Sequence, residues 1–212
     1  MSRRHNRRSI RLKGYDYTQP GAYFVTICTR DRTHLFGHVV DGAMELSPYG
    51  EIVREEWFRT AVVRPCVRLH ENEFTVMPNH VHGILWIVGD PVGATGPVAP
   101  TTMTTDDVHR PHGPASGSIG AIMAQFKSVV TKRINIARRS PGASVWQRNY
   151  YEHIIRNDRA LHAIRRYIVD NPRRWQWDRY NADRLGPDSL ALEIWALLKG
   201  DRTGRPYDHD HR

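Results

Sequence analysis

The sequence predicts an α+β domain built on a mainly antiparallel sheet. Three observations lead there. β-prone runs and amphipathic helical stripes come in the mixed order strand, hairpin, helix, strand, strand, helix, strand, helix. Two pairs of β runs are joined by tight turns, at Asp41-Gly42 and at Pro78-Asn79, so the members of each pair belong side by side. At 212 residues the chain can bury a proper core, and one domain with appendages is the natural organisation. The simplest packing places the helices on one face of the sheet.

Residues 1–14 carry Arg3, Arg4, Arg7, Arg8, Arg11 and Lys13 and no acid, a basic flexible arm able to lie along a phosphate backbone. Tyr23 to Thr29 is β-branched and aromatic, the composition of a buried strand. HVVDGAMEL follows as a hairpin around Asp41-Gly42. Ser47-Pro48 supplies an N-cap and first helical position, and Ile52, Val53 and Trp57 then recur at helical spacing. Val67 to Met77 and His80 to Val88 are two further β runs. Residues 89–117 change to Gly, Pro, Ala, Thr and Ser, a flexible insertion.

Periodicity returns in a helix whose stripe is Ile119, Ile122, Met123, Phe126, Val130 and Ile134, a core-facing pattern. Val145 to Arg156 has the composition of another strand. Asn157-Asp158 can cap a helix running to Asn171, which Pro172 stops or kinks. The domain thus spans 15–180, and 181–212 is a tail with one short helix at LALEIWALL.

The charge balance is basic, 31 Lys and Arg against 22 Asp and Glu, a net +9 in which arginine dominates. Guanidinium forks suit phosphate, so a polyanionic partner is expected, nucleic acid ahead of a membrane surface. Cys28 and Cys66 are the only cysteines, at a spacing that fits no zinc or redox motif, as in a reducing compartment. The N-terminus lacks the apolar region of a secretory signal, and no apolar run reaches the roughly 18 residues of a membrane span. A cytoplasmic protein is expected.

His80 and His82 lie in a β run, so both side chains project from one face and can share a metal ion. The pair alone is weak: 12 histidines in 212 residues give about 0.7 such pairs by chance. Its setting on an expected central strand is what singles it out, because a buried imidazole needs a partner. Further on, Tyr167 and Asn171 share a helix face. Taken alone, the tyrosine reads as half-buried packing and the asparagine as a C-cap.

MPNHVHGILWIV, FKS, WQRNYYEHIIR and YIVDNP occur in that order. Together they closely resemble the REP-associated tyrosine transposases, relatives of the single-tyrosine insertion-sequence transposases in the HUH (His-hydrophobe-His) endonuclease superfamily. The resemblance covers roughly Tyr15 to Trp175 apart from the insertion. It implies a ferredoxin-like central antiparallel sheet with helices packed on its faces. It implies His80 and His82 as metal ligands, Asn171 as a third, and Tyr167 as the nucleophile. Insertion-sequence relatives generally carry glutamine where this chain has Asn171, which places it nearer the REP-associated branch.

The implied activity is metal-dependent cleavage and strand transfer on single-stranded or hairpin-forming DNA, through a covalent 5′-phosphotyrosine, with Mg2+ or Mn2+ as cofactor. Monomers and homodimers both occur in such families. Tyr150 and Tyr151 are rival nucleophiles, disfavoured because neighbours on a strand face opposite ways. Lys127, Arg148, Arg156, Arg165, Arg166, Arg173 and Arg174 are the candidate DNA contacts, with Trp175 and Trp177 as stacking faces. Two other functions compete: a domesticated protein that binds DNA hairpins without cutting, and a nuclease that activates water and forms no adduct.

Overall fold

The computed structural model describes residues 15–89 and 114–200. The basic arm, residues 90–113 of the expected insertion and the polar end after 200 lie outside them. The sheet has two central strands, β1 (Gly21–Cys28) and β6 (His80–Ile87), each buried along its whole length. They pair antiparallel, with Cys28 opposite His80 and Thr26 opposite His82. β7 (Tyr151–Ile155) flanks β1, while β4 (Val67–Arg68) and β5 (Phe74–Met77) share the outer edge of β6. A small separate hairpin, β2 (Gly37–Val40) and β3 (Ala43–Leu46), turns at Asp41 and Gly42, both at positive φ as its two-residue loop requires.

With α1 (Pro48–Val63) following β1 and α2 (Ile119–Ala137) following β6, the chain makes two βαβ units whose strands interleave. That is the ferredoxin-like arrangement, antiparallel throughout. Ser47 accepts hydrogen bonds from the amides of Tyr49 and Gly50, so α1 starts at the expected cap. Ser118 and Asn157 do the same for α2 and for α3 (Asp158–Asp170).

The helices cover both faces, as the family resemblance implies and in place of the simpler one-face packing read from element order alone. Odd positions of β6 (Val81, Leu85, Ile87) join Tyr23, Val25 and Ile27 under α1 and the six-residue stripe of α2. Even positions (Ile84, Trp86) join Ala22 and Phe24 under α3 and α4 (Ser189–Gly200). The physical reason is the amphipathic α3 and the apolar α4, whose Leu190, Ala191, Ile194 and Leu198 need burial too. The short helix of the tail is therefore part of the second core. Gly83 leaves room for Trp57: a Cβ there would stand 2.5 Å from the indole.

Two strands are shorter than their composition suggests. The Val67–Met77 run is broken by a 3-10 turn at Glu71–Glu73, and the Val145–Arg156 run pairs only from Tyr151, apart from a bridge between Trp146 and Thr29. The break brings Glu73 inside, fully buried, where it accepts from the Trp86 indole N–H (2.6 Å) and from Arg165 Nε and Nη2 (2.8 and 2.6 Å). That ion pair fixes α3 to the edge of the sheet. Replacing Arg165 with Ala strands a buried carboxylate, and the expected loss is about 3 kcal/mol, read from the urea midpoint.

Candidate metal centre and tyrosine site

His80, His82, Thr26 and Cys28 project from the face of the sheet that α3 covers, because alternate strand residues share a side. The two imidazoles meet with their Nε2 atoms 3.0 Å apart. Two ligands about 2.1 Å from one octahedral cation and at right angles would be roughly 3.0 Å apart, so the pair fits such an ion without rearrangement.

Partners behind the rings set this orientation. His80 Nδ1 donates to Asn79 Oδ1 at 2.9 Å. The sense of that bond follows from the amide itself, since Asn79 Nδ2 donates to the carbonyls of Arg32 (3.1 Å) and Tyr180 (2.8 Å). His80 therefore carries its proton on Nδ1 and turns a bare Nε2 into the cluster. His82 Nδ1 is hydrogen-bonded to Thr26 Oγ1 at 2.8 Å. A hydroxyl can donate or accept there, so His82 is also able to present an Nε2 lone pair.

Asp178 completes the group. Its Oδ2 lies 3.8 Å from His80 Nε2, and one ligand atom each from His80, His82 and Asp178 falls within 4.8 Å of the others. Sequence reasoning missed this residue. It reaches the centre because Asn171 stays helical before Pro172, and the chain continues as a 3-10 turn, Pro172–Trp177, instead of stopping. That turn carries Trp175 over His34 and His80, with ring centroids 5.4 and 6.1 Å apart, and lays Tyr180 on His80 at 4.6 Å.

Tyr167 approaches from α3. Its ring centroid lies 5.0 Å from that of His82, and Phe24 packs edge-on against it at 6.4 Å. Asn171, one turn later, is buried beside it. The amide influences both the Tyr167 hydroxyl and the Asp178 carboxylate, yet neither of its atoms has a hydrogen-bond partner of ordinary geometry. A buried amide left this way fits a further oxygen donor to a hard cation. All five side chains, His80, His82, Tyr167, Asn171 and Asp178, are at most 2 % exposed.

Burial dominates the electrostatics. It pushes His80 down to about 3 and His82 well below the usual imidazole value, so both are neutral and ready to ligate. It raises the Tyr167 phenol well above its ordinary value, and the Asp178 charge raises it further. Burial also raises Asp178, against the pull of His82.

The seven basic candidates divide. Arg165 is committed to Glu73, and Arg174 to the buried carboxylate of Asp188 at the start of α4. Lys127, on the opposite helix layer, donates to the carbonyls of Gln147 (2.6 Å) and Arg148 (3.1 Å). Arg148 and Arg173 are exposed, as is Arg166, 3.8 Å from Asp170. Arg156 is half-buried and donates to the Ile154 carbonyl at 3.2 Å. Of the rival tyrosines, Tyr150 packs in the first core and Tyr151 in the second, against Phe24 and Trp195, facing opposite ways as adjacent strand residues should.

The fold is shared with a solved transposase. The structure of the REP-associated tyrosine transposase bound to a REP hairpin aligns over 96 % of this chain and 96 % of that one, with a TM-score of 0.51 and 19 % identity. A protein from Deinococcus radiodurans R1 aligns over 74 % of this chain and 94 % of its own, with 16 % identity and a TM-score of 0.40, too loose a likeness to bear on the fold. No family model matches the chain. An uncharacterised protein of Haemophilus influenzae Rd is 39 % identical over 179 residues, covering 84 % of this chain and 95 % of the relative. The chain has the fold of a REP-associated tyrosine transposase. It belongs to one family with the Haemophilus protein.

Neutral buried histidines make stability pH-dependent. The unfolded chain takes up their protons near pH 6.5, whereas folded His80 does so only near 3. Stability is therefore complete above about pH 6.5 and falls between there and about 3, by roughly 1.4 kcal/mol per pH unit for each proton. Asp178 is raised above its unfolded value, so the folded chain binds that proton first and this group opposes the trend, one group against two. Urea midpoints in chelator should decline across that window, and less steeply in His80→Gln.

Proposed function

We propose that this protein is a metal-dependent DNA-nicking and strand-transfer enzyme acting on single-stranded or hairpin-forming DNA through a covalent bond to Tyr167. The observation that carries this reading is the convergence of one phenol with a histidine pair from a different element, Tyr167 against His82 at 5.0 Å between rings. A core tyrosine needs no such neighbour. The sequence motifs and the shared fold support the same reading.

His80, His82 and Asp178 would hold a divalent cation, Mg2+ or Mn2+, with Asn171 beside them as a further oxygen donor. When bound, the ion withdraws charge from a coordinated phosphate and makes its phosphorus easier to attack. Tyr167 then supplies its oxygen to phosphorus, the bond to the 3′ oxygen breaks, and the strand leaves with a free 3′-hydroxyl. The phenolic proton passes to solvent as the new bond forms and the leaving 3′ oxygen takes one up to become the hydroxyl, so the step is neutral in protons. The nearby amide of Asn171 favours the phenolate. The phosphotyrosine keeps the energy of the broken bond, so a second 3′-hydroxyl can reverse the step without nucleotide hydrolysis. Because these side chains are buried, a strand reaches them only if the Trp175 and Tyr180 rings, which lie against His80, swing aside while Asp178 stays in place.

Two measurements test this. Mn2+ at one hundred times its dissociation constant should stabilise the fold by about 2.7 kcal/mol, or roughly 5–10 °C. The shift should vanish in His82→Ala and shrink in Asp178→Asn. With labelled hairpin DNA and Mn2+, a denaturing gel should show a slow protein–DNA adduct that Tyr167→Phe lacks. Cutting without an adduct would identify a hydrolytic nuclease, and binding without cutting a hairpin-binding protein.

A further inference from the structure

Arg32 and Arg179 stand apart from the other arginines at this centre. Arg165 and Arg174 are held by buried carboxylates, but neither Arg32 nor Arg179 forms an ion pair among the described residues. Both lie on one aromatic ring. The Arg32 guanidinium carbon is 5.5 Å, and that of Arg179 5.4 Å, from the centroid of Tyr180, the ring that rests on His80. Arg179 also reaches the Trp195 ring at 5.9 Å. Arg32 makes one long hydrogen bond, to the Arg179 carbonyl at 3.4 Å. Most of the N–H groups of both forks are thus uncommitted, beside the Tyr180 ring whose centroid lies 4.6 Å from that of His80.

The backbone beneath them is built to hold this position. Asp31 and Arg32 both sit at positive φ, 55° and 56°, a conformation that costs non-glycine residues energy and persists only where surroundings enforce it. The enforcement is visible. Thr29 Oγ1 donates to the carbonyls of Thr33 and Asn79, and Asn79 Nδ2 donates to those of Arg32 and Tyr180. One amide therefore pins both arginine-bearing segments and the histidine between them. Nothing in core packing requires this, since Arg32 and Arg179 are exposed.

We propose that Arg32 and Arg179 form a phosphate clamp, bracketing Tyr180, that grips the DNA backbone at a phosphodiester next to the one at His80, His82 and Asp178. The clamp deepens the reading of the protein as a DNA-processing enzyme and rests on it. Its partner is the sugar–phosphate chain, not a base: two guanidinium forks can each pair with phosphate oxygens, and the Tyr180 ring between them is already in contact with His80. It requires no covalent step.

The test is binding without cutting. Anisotropy of a labelled hairpin with a single-stranded flank, in chelator and across a salt series, would be compared for wild type, Arg32→Gln, Arg179→Gln and the double variant. Each single change should weaken binding several-fold and reduce the slope of log affinity against log salt by about 0.7. Arg59→Gln, on α1 in the opposite layer, should leave both unchanged. Arg32→Lys and Arg179→Lys keep the charge and should retain the slope, which a merely structural role would not predict. Variants that match wild type in affinity and slope overturn the clamp while leaving the DNA-processing reading intact. Wild-type protein that shows no salt-dependent binding overturns both.

Discussion

The site depends on one buried side-chain amide. Asn79 has two donors and an acceptor, and each is used on a different part of the chain: His80, the loop after β1, and the segment after the 3-10 turn. Because both Nδ2 hydrogens go to carbonyls, the oxygen can only face the imidazole, and the tautomer of His80 follows. The same bonds hold Arg32 in its left-handed conformation and bring Tyr180 down on His80. No substitute of similar size offers two donors and an acceptor in one plane. Aspartate lacks the donors and leucine lacks both functions. The chemistry of the histidines and the course of two surface segments are thus set by a single group.

α3 is held by different means. Glu73, buried by the break between β4 and β5, takes Arg165 from the middle of the helix, and Asp188 takes Arg174 from the turn beyond it. These ion pairs lie either side of Tyr167 along the chain. A buried pair adds little net stability, but leaving one partner alone is costly, so such pairs specify position more than they strengthen the fold. Here the specified position is that of a phenol over an imidazole.

Local signals carried much of the fold. The Asp-Gly hairpin, the Ser47 and Asn157 caps and the α2 stripe all rest on contacts within a few residues, and all occur as read. His80, His82, Tyr167 and Asn171 come together; spacing gave the histidine parity and the shared helix face of Tyr167 and Asn171, whereas joining the one pair to the other leaned on motifs from a known family. What failed was non-local. The second helical layer depends on where α4 docks, which no local period encodes. Asp178 looked like any surface acid in a charged, aromatic stretch, because a carboxylate's burial is decided by the path of the chain past Pro172. Arginines read as DNA contacts proved divisible only once their carboxylates were located.

The same carboxylate couples the two halves of the proposed chemistry. Asp178 lies against His80, yet its charge also raises the Tyr167 phenol, on top of the larger effect of burial. In the closed state the nucleophile is therefore held protonated by the residue that would help gather a cation. Neutralising Asp178 removes that opposition, since a negative neighbour disfavours phenolate and a compensated one does not. Moving Trp175 and Tyr180 aside relieves burial, the larger cause, for Tyr167 as for the histidines. Cation capture and displacement of those two rings thus act in the same direction on one proton. On the proposed chemistry, a phenol kept inert until both have happened would protect the centre from attacking whatever phosphate drifts near it.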